Sequence, residues 1–66
     1  MSIVKVIEVI SEGETVDEAI KSAVNEAAKS VEHIKQINVV HIEGLVDKNK
    51  VTKFRVNSKV SFIVKH

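Results

Sequence analysis

Cysteine is absent from the chain, so neither a disulfide nor a thiolate-bound metal can staple a small core. Proline and tryptophan are absent as well, and Phe54 and Phe62 are the only aromatic residues. A nucleic-acid stacking platform needs exposed aromatics, and both phenylalanines fall on the apolar side of their segment. With glycine only at positions 13 and 44, there is no G-x-x-G loop of the kind that clamps an RNA backbone. The formal net charge of +1, from 10 Lys plus Arg against 9 Asp plus Glu, gives no overall field for nucleic acid or anionic lipid. No apolar run approaches a membrane span, and no basic segment precedes an apolar stretch with a cleavage site. The default compartment is therefore the cytoplasm. Nucleophile-elbow and helical zinc-protease motifs are missing too, which argues against an enzyme.

What is present fits a single domain over residues 1–66, because a chain of this length cannot fill two cores. Domains of this size rarely draw more than about 3 to 5 kcal/mol from their own core, and self-association is the remedy left once disulfides are excluded. Ser2 to Ser11 is a β-branched run broken by Lys5 and Glu8. Ile3, Ile7 and Val9 alternate with Val4, Val6 and Ile10, so both faces of this strand are apolar. Ser11 to Glu14 ends it, and Thr15-Val16-Asp17-Glu18 has the pattern of a capping box.

The helix that follows carries a stripe of Val16, Ala19, Ile20, Ala23, Val24, Ala27, Ala28 and Val31, which predicts about four turns. Four of those eight positions are alanine, so the helix can lie close to a sheet while burying little area. Ile34 to Glu43 predicts a second strand, with Ile37, Val39 and His41 on one face and Ile34, Gln36, Asn38, Val40 and Ile42 on the other. Gly44 to Asn49 supplies the turn, Asn49 being suited to a left-handed conformation. From Lys50 to Lys65 the chain alternates, with Thr52, Phe54, Val56, Ser58, Val60, Phe62 and Val64 on the side for burial.

That last strand would span about 50 Å if extended, at about 3.3 Å per residue, against a diameter of roughly 28 Å for a compact globule of this size. It must bend around the helix or project and pair with other subunits. The expected fold is α+β, with β-α-β-β order and a three-stranded antiparallel sheet wrapped around one helix.

Several strings resemble the dodecin family, and they occur in that family's order across essentially the whole chain. Lys5-Val6-Ile7-Glu8 resembles its first strand. Asp17-Glu18-Ala19-Ile20, followed by Ala23-Val24 and Ala27, resembles its helix. Val56-Asn57-Ser58-Lys59-Val60-Ser61-Phe62 is similar to its last strand. The resemblance implies a hollow homododecamer of cubic symmetry that binds flavins in pairs near symmetry axes, without turnover. In the flavin binders a tryptophan at the start of the second strand supplies the stacking surface, and a glutamine in the third strand hydrogen-bonds the ring. Those positions align with Gln36 and Arg55. An amide lacks the polarisable face that makes aromatic stacking worth about 0.5 to 1.5 kcal/mol beyond burial. The chain is thus closer to relatives without the tryptophan.

Other candidate residues follow from spacing. Lys53, Arg55, Lys59 and Lys65 share the polar side of the last strand. This stripe reads either as a contact surface for the phosphates of riboflavin-derived nucleotides (FMN, FAD) or of coenzyme A, or as a solvated face that blocks edge aggregation. His41 and Glu43, two apart on a strand, project together as a metal pair would, though two ligands need a symmetry mate to close a site. His33 and His66 read as exposed. Glu8, inside an apolar strand, calls for a cationic partner on another subunit or a cation in an inner channel. Two functions remain in view: a shell holding a flavin-type or phosphate-bearing ligand at Gln36, Arg55 and Lys53, or a flavin-free assembly that binds cations or acts as a structural shell.

Overall fold

A computed structural model describes residues 2–64 of the chain. Lys65 and His66, both named above, lie outside the described residues. The elements are β1 (Ile3–Gly13), α1 (Val16–Ala27), β2 (Ile34–Asp47) and β3 (Lys50–Val64). The strands form one antiparallel sheet in the order β1-β3-β2. The last strand in sequence is therefore the central one, as suits the segment with the longest alternation.

α1 lies across one face of this sheet. Its buried residues are Ala19, Ala23 and Ala27, which meet Val56, Ser58 and Val60 in the middle of β3. The buried hydrophobics of the described residues are those three alanines and two valines, so the core is as thin as the stripe predicted. The close approach also depends on Gly13, where an added Cβ would stand 2.7 Å from the Ala19 backbone nitrogen. The Ser11 hydroxyl fastens the crossing by donating to the Ala19 carbonyl.

The predicted cap forms at Thr15, whose Oγ1 accepts from the Glu18 N–H at 3.1 Å. The Glu18 carboxylate reaches back one residue beyond the cap, to the Glu14 N–H at 3.2 Å. Asp17 and Glu18 also complement the positive end of the helix dipole.

Four sequence-based expectations need correction. β1 continues through Glu12 to Gly13 instead of ending at Ser11, because its pairing with β3 runs unbroken to Gly13 opposite Phe54. The helix stops at Ala27: Lys29 N–H bonds Glu26 O and Ser30 N–H bonds Ala27 O, a tightened turn that leaves Val31 beyond the helix. The β2–β3 turn comprises only Lys48 and Asn49, at φ 51° and 64°, the two left-handed residues of a tight hairpin. Gly44, Leu45 and Val46 belong to the strand.

The faces of β2 are the fourth. One residue is inserted between Ile34 and Gln36 and another between Val39 and His41. These bulges put Ile34, Ile37, Val39 and Ile42 on the helix side, opposite Phe62, Val60, Ser58 and Val56. Gln36, Asn38, His41 and Glu43 share the other side, opposite Ser61, Lys59, Asn57 and Arg55. His41 thereby leaves the face of Ile37 and Val39, while Ile34 and Ile42 leave that of Gln36.

Of the two ways to accommodate the long strand, the chain projects. The molecule measures 51 × 19 × 14 Å with a radius of gyration of 13.7 Å, against about 11 Å for a compact globule of this length. A 12-residue helix is about 18 Å long at about 1.5 Å per residue, so it covers only part of the sheet. Beyond its reach Ile42, Val46 and Val51 stay 56%, 64% and 57% exposed on the hairpin arm. Among the described residues, no helix is long and apolar enough to cross a membrane.

Candidate ligand-binding face

Among the described residues, no element covers the side of the sheet away from α1. Reading across from β1 through β3 to β2, its residues line up in rows: Glu12, Arg55, Glu43; then Ile10, Asn57, His41; then Glu8, Lys59, Asn38; then Val6, Ser61, Gln36. Val4, Val6 and Ile10 remain 60%, 52% and 68% exposed here. The predicted apolar second face of the first strand is therefore real. An apolar floor edged by amides and charges suits a flat ligand with polar edges.

Gln36 and Arg55 share this face but do not meet within one chain. Gln36 is level with Ser61, six residues along β3 from Arg55, a separation of about 20 Å at about 3.3 Å per residue. A ligand touching both would have to take them from different protomers. Lys53 stands one step further along, opposite Leu45, and borders a shallow cleft with Glu12, Glu14 and Glu18.

Arg55 is not a free cation. Its Nε and Nη2 donate to Glu12 Oε2 at 3.2 and 2.9 Å, pairing β3 with β1. Glu43, on the other flank of Arg55, accepts instead from Asn57 Nδ2 at 3.3 Å. His41 and Glu43 do project to the same side, as their spacing required. No group of three or more metal-ligating side chains forms among the described residues. Glu8 is opposite Lys59 of its own chain. His33 is exposed, with Glu32 3.9 Å from its Nε2.

A second cleft of about 350 Å³ opens on this side, bordered by Glu8, Ile10, Val40, His41, Asn57 and Lys59. Val40 reaches it because it is the residue inserted at the Val39/His41 bulge. Sequence reasoning missed Glu12, Val40 and Asn57. The one available signal was the alternation Glu8, Ile10, Glu12, which carries the β1 pattern past the point where a turn was expected.

Comparison with known proteins agrees with this fold. A family model described as Dodecin matches residues 3–65. Among solved structures, dodecin from Streptomyces davaonensis superposes with a TM-score of 0.91 at 21% identity, covering 98% of this chain and 97% of that one. A Thermus thermophilus dodecin variant with an arginine replaced by alanine superposes at 0.92, with 24% identity and 100% of both chains covered. Dodecin from Streptomyces coelicolor gives 0.90 at 23% identity, with 98% and 94% covered. A search of the curated proteins finds no match.

Proposed function

The chain belongs to the dodecin family, and from that premise we propose that it is a non-enzymatic cytoplasmic carrier that holds a flavin-type ligand between the subunits of a homododecameric shell. The observation that carries this reading is the uncovered sheet face, where the exposed Val6 and Ile10 stand beside the amides of Gln36, Asn38 and Asn57. Apolar surface meets the faces of a ring system, and amides serve its edges. Because Gln36 and Arg55 lie far apart in one chain, the pocket is completed by a neighbouring copy. Gln36 then contacts the ring edge from one protomer and Arg55 from another, with Lys53 at the periphery. Riboflavin, FMN and FAD share the ring that this face would take. Coenzyme A fits less well, since it depends on the basic stripe alone.

Titration of riboflavin with the protein at micromolar concentration, followed by flavin fluorescence, tests the reading. Quenching is expected, weaker than after Gln36→Trp, because tryptophan adds the stacking face that the amide lacks. If quenching is absent from the natural chain and appears only in Gln36→Trp, the flavin assignment falls and the flavin-free shell, cation-binding or structural, takes its place. Native mass measured on the same sample decides whether the assembly exists.

A further inference from the structure

We propose that Glu12 is a specificity residue: by holding the chain's only arginine, it makes the outer sheet face discriminate against phosphate-bearing ligands that the basic stripe alone would attract. The proposal rests on the ligand-binding reading above and narrows its ligand to uncharged ring compounds.

The geometry points this way at each described cation of the stripe. Arg55 has two N–H groups on a single Glu12 oxygen, and Glu43 stands in the same row. A guanidinium paired side-on in this way through Nε and Nη2 keeps only its Nη1 donors and the second Nη2 N–H for a phosphate, and part of its charge is already offset by the carboxylate beside it. Lys59 sits opposite Glu8. Lys53 shares its cleft with Glu12, Glu14 and Glu18, three carboxylates against itself and Lys21. Lys53, Arg55 and Lys59 are thus matched on this face by Glu8, Glu12 and Glu43, three positive charges against three negative. A face with no net charge draws no anion from a distance. A flavin bearing a terminal phosphate would also meet Glu12 and Glu43 beside the one side chain able to grip it bidentately.

The pair is partly solvated, at 40% and 43% side-chain exposure, so the effect is of the size measured for exposed ion pairs, up to about fivefold in affinity. Riboflavin and FMN, which differ only in the phosphate, measure it directly. The natural protein should bind riboflavin more tightly than FMN, and Glu12→Gln should shift that ratio towards FMN by up to about fivefold. Glu12→Ala serves as a second variant should the glutamine one fold poorly.

A readout independent of flavin comes from the Nε resonance of Arg55, which is unique in an ¹⁵N spectrum because the chain has one arginine. Inorganic pyrophosphate should leave this resonance in place in the natural protein and move it in Glu12→Gln. Equal movement in both, or movement in neither, overturns the role given to Glu12. Should no flavin bind to any variant, the carrier function fails while the arginine resonance still decides what Glu12 does.

Discussion

The two sides of β3 contrast sharply. On one, Val56, Ser58 and Val60 are sealed beneath alanines of α1. On the other, alternating with them, Arg55, Asn57 and Lys59 look outward beside the exposed Val6 and Ile10. Both sides carry apolar side chains, but only the first has a layer from its own chain to cover them. The helix side makes the subunit, and the outer side is the one that the proposed assembly and ligand would use. Substitutions should therefore act differently on the two sides.

Ile10→Glu should have the largest effect, and it should strike assembly rather than subunit folding. Ile10 is 68% exposed in the single chain, so a change there should alter subunit stability by about 0.5 kcal/mol or less. The added carboxylate falls in the row of Asn57 and His41, next to those of Glu8 and Glu12. Native mass should collapse towards smaller species while far-ultraviolet circular dichroism stays unchanged. An intact dodecamer would show that this face is not between subunits.

On the helix side, Ala23→Leu should instead cost the subunit about 1 to 3 kcal/mol or more, because Ala23 has no exposed surface and the helix can only be pushed off the sheet. Thermal unfolding reads the loss. A leucine at Lys59, on the outer side of the same central strand, should leave the subunit's own stability nearly untouched. Equal losses at both positions would abolish the distinction between the faces.

How far the sequence foretold these faces depended on whether the signal was periodic. The helical stripe, read from Val16 to Val31, appears as far as Ala27, and the alternation of β3 appears from Lys53 onward, both following from repeat lengths of 3.6 and 2; a register shift at Thr52 moves Val51 off the polar side where the alternation had placed it. The bulges at Lys35 and Val40 each add one ordinary residue with no marker, yet each reverses which side chains face the helix. The Glu12–Arg55 pair joins residues 43 apart, and only the register of two strands reveals it. The candidate site was thus legible as a list of residues on β2 and β3, but not as an arrangement. Gln36 and Arg55 seemed to belong to one pocket until the register set them well apart along the strand.

Ser58 sharpens the comparison from inside the covered face. It occupies a core position between Val56 and Val60, only 3% exposed, and its Oγ has no hydrogen-bond partner. A buried hydroxyl without a partner carries a desolvation penalty of about 1 to 3 kcal/mol. Ser58→Ala keeps nearly the same shape and removes that penalty, so it should stabilise the subunit by about 1 kcal/mol. Thermal unfolding decides the sign, and a loss of stability would mean that the hydroxyl finds an acceptor in the assembled protein.

The smallest expected effect lies outside both faces, at the entrance to β2. His33 adopts φ 60°, a left-handed conformation that costs a side chain with a Cβ. The conformation is imposed from both sides: the tightened turn after α1 precedes it, and its carbonyl accepts from the Ile63 N–H at 3.1 Å just before β2 begins pairing at Ile34. His33→Gly relieves the strain in the folded chain but also gives the unfolded chain more freedom, and the two partly cancel. A net gain of about 0.5 kcal/mol is expected, seen as a slightly higher unfolding temperature with native mass unchanged. A clear loss would show that the imidazole does more at this position than its exposure and the nearby Glu32 suggest.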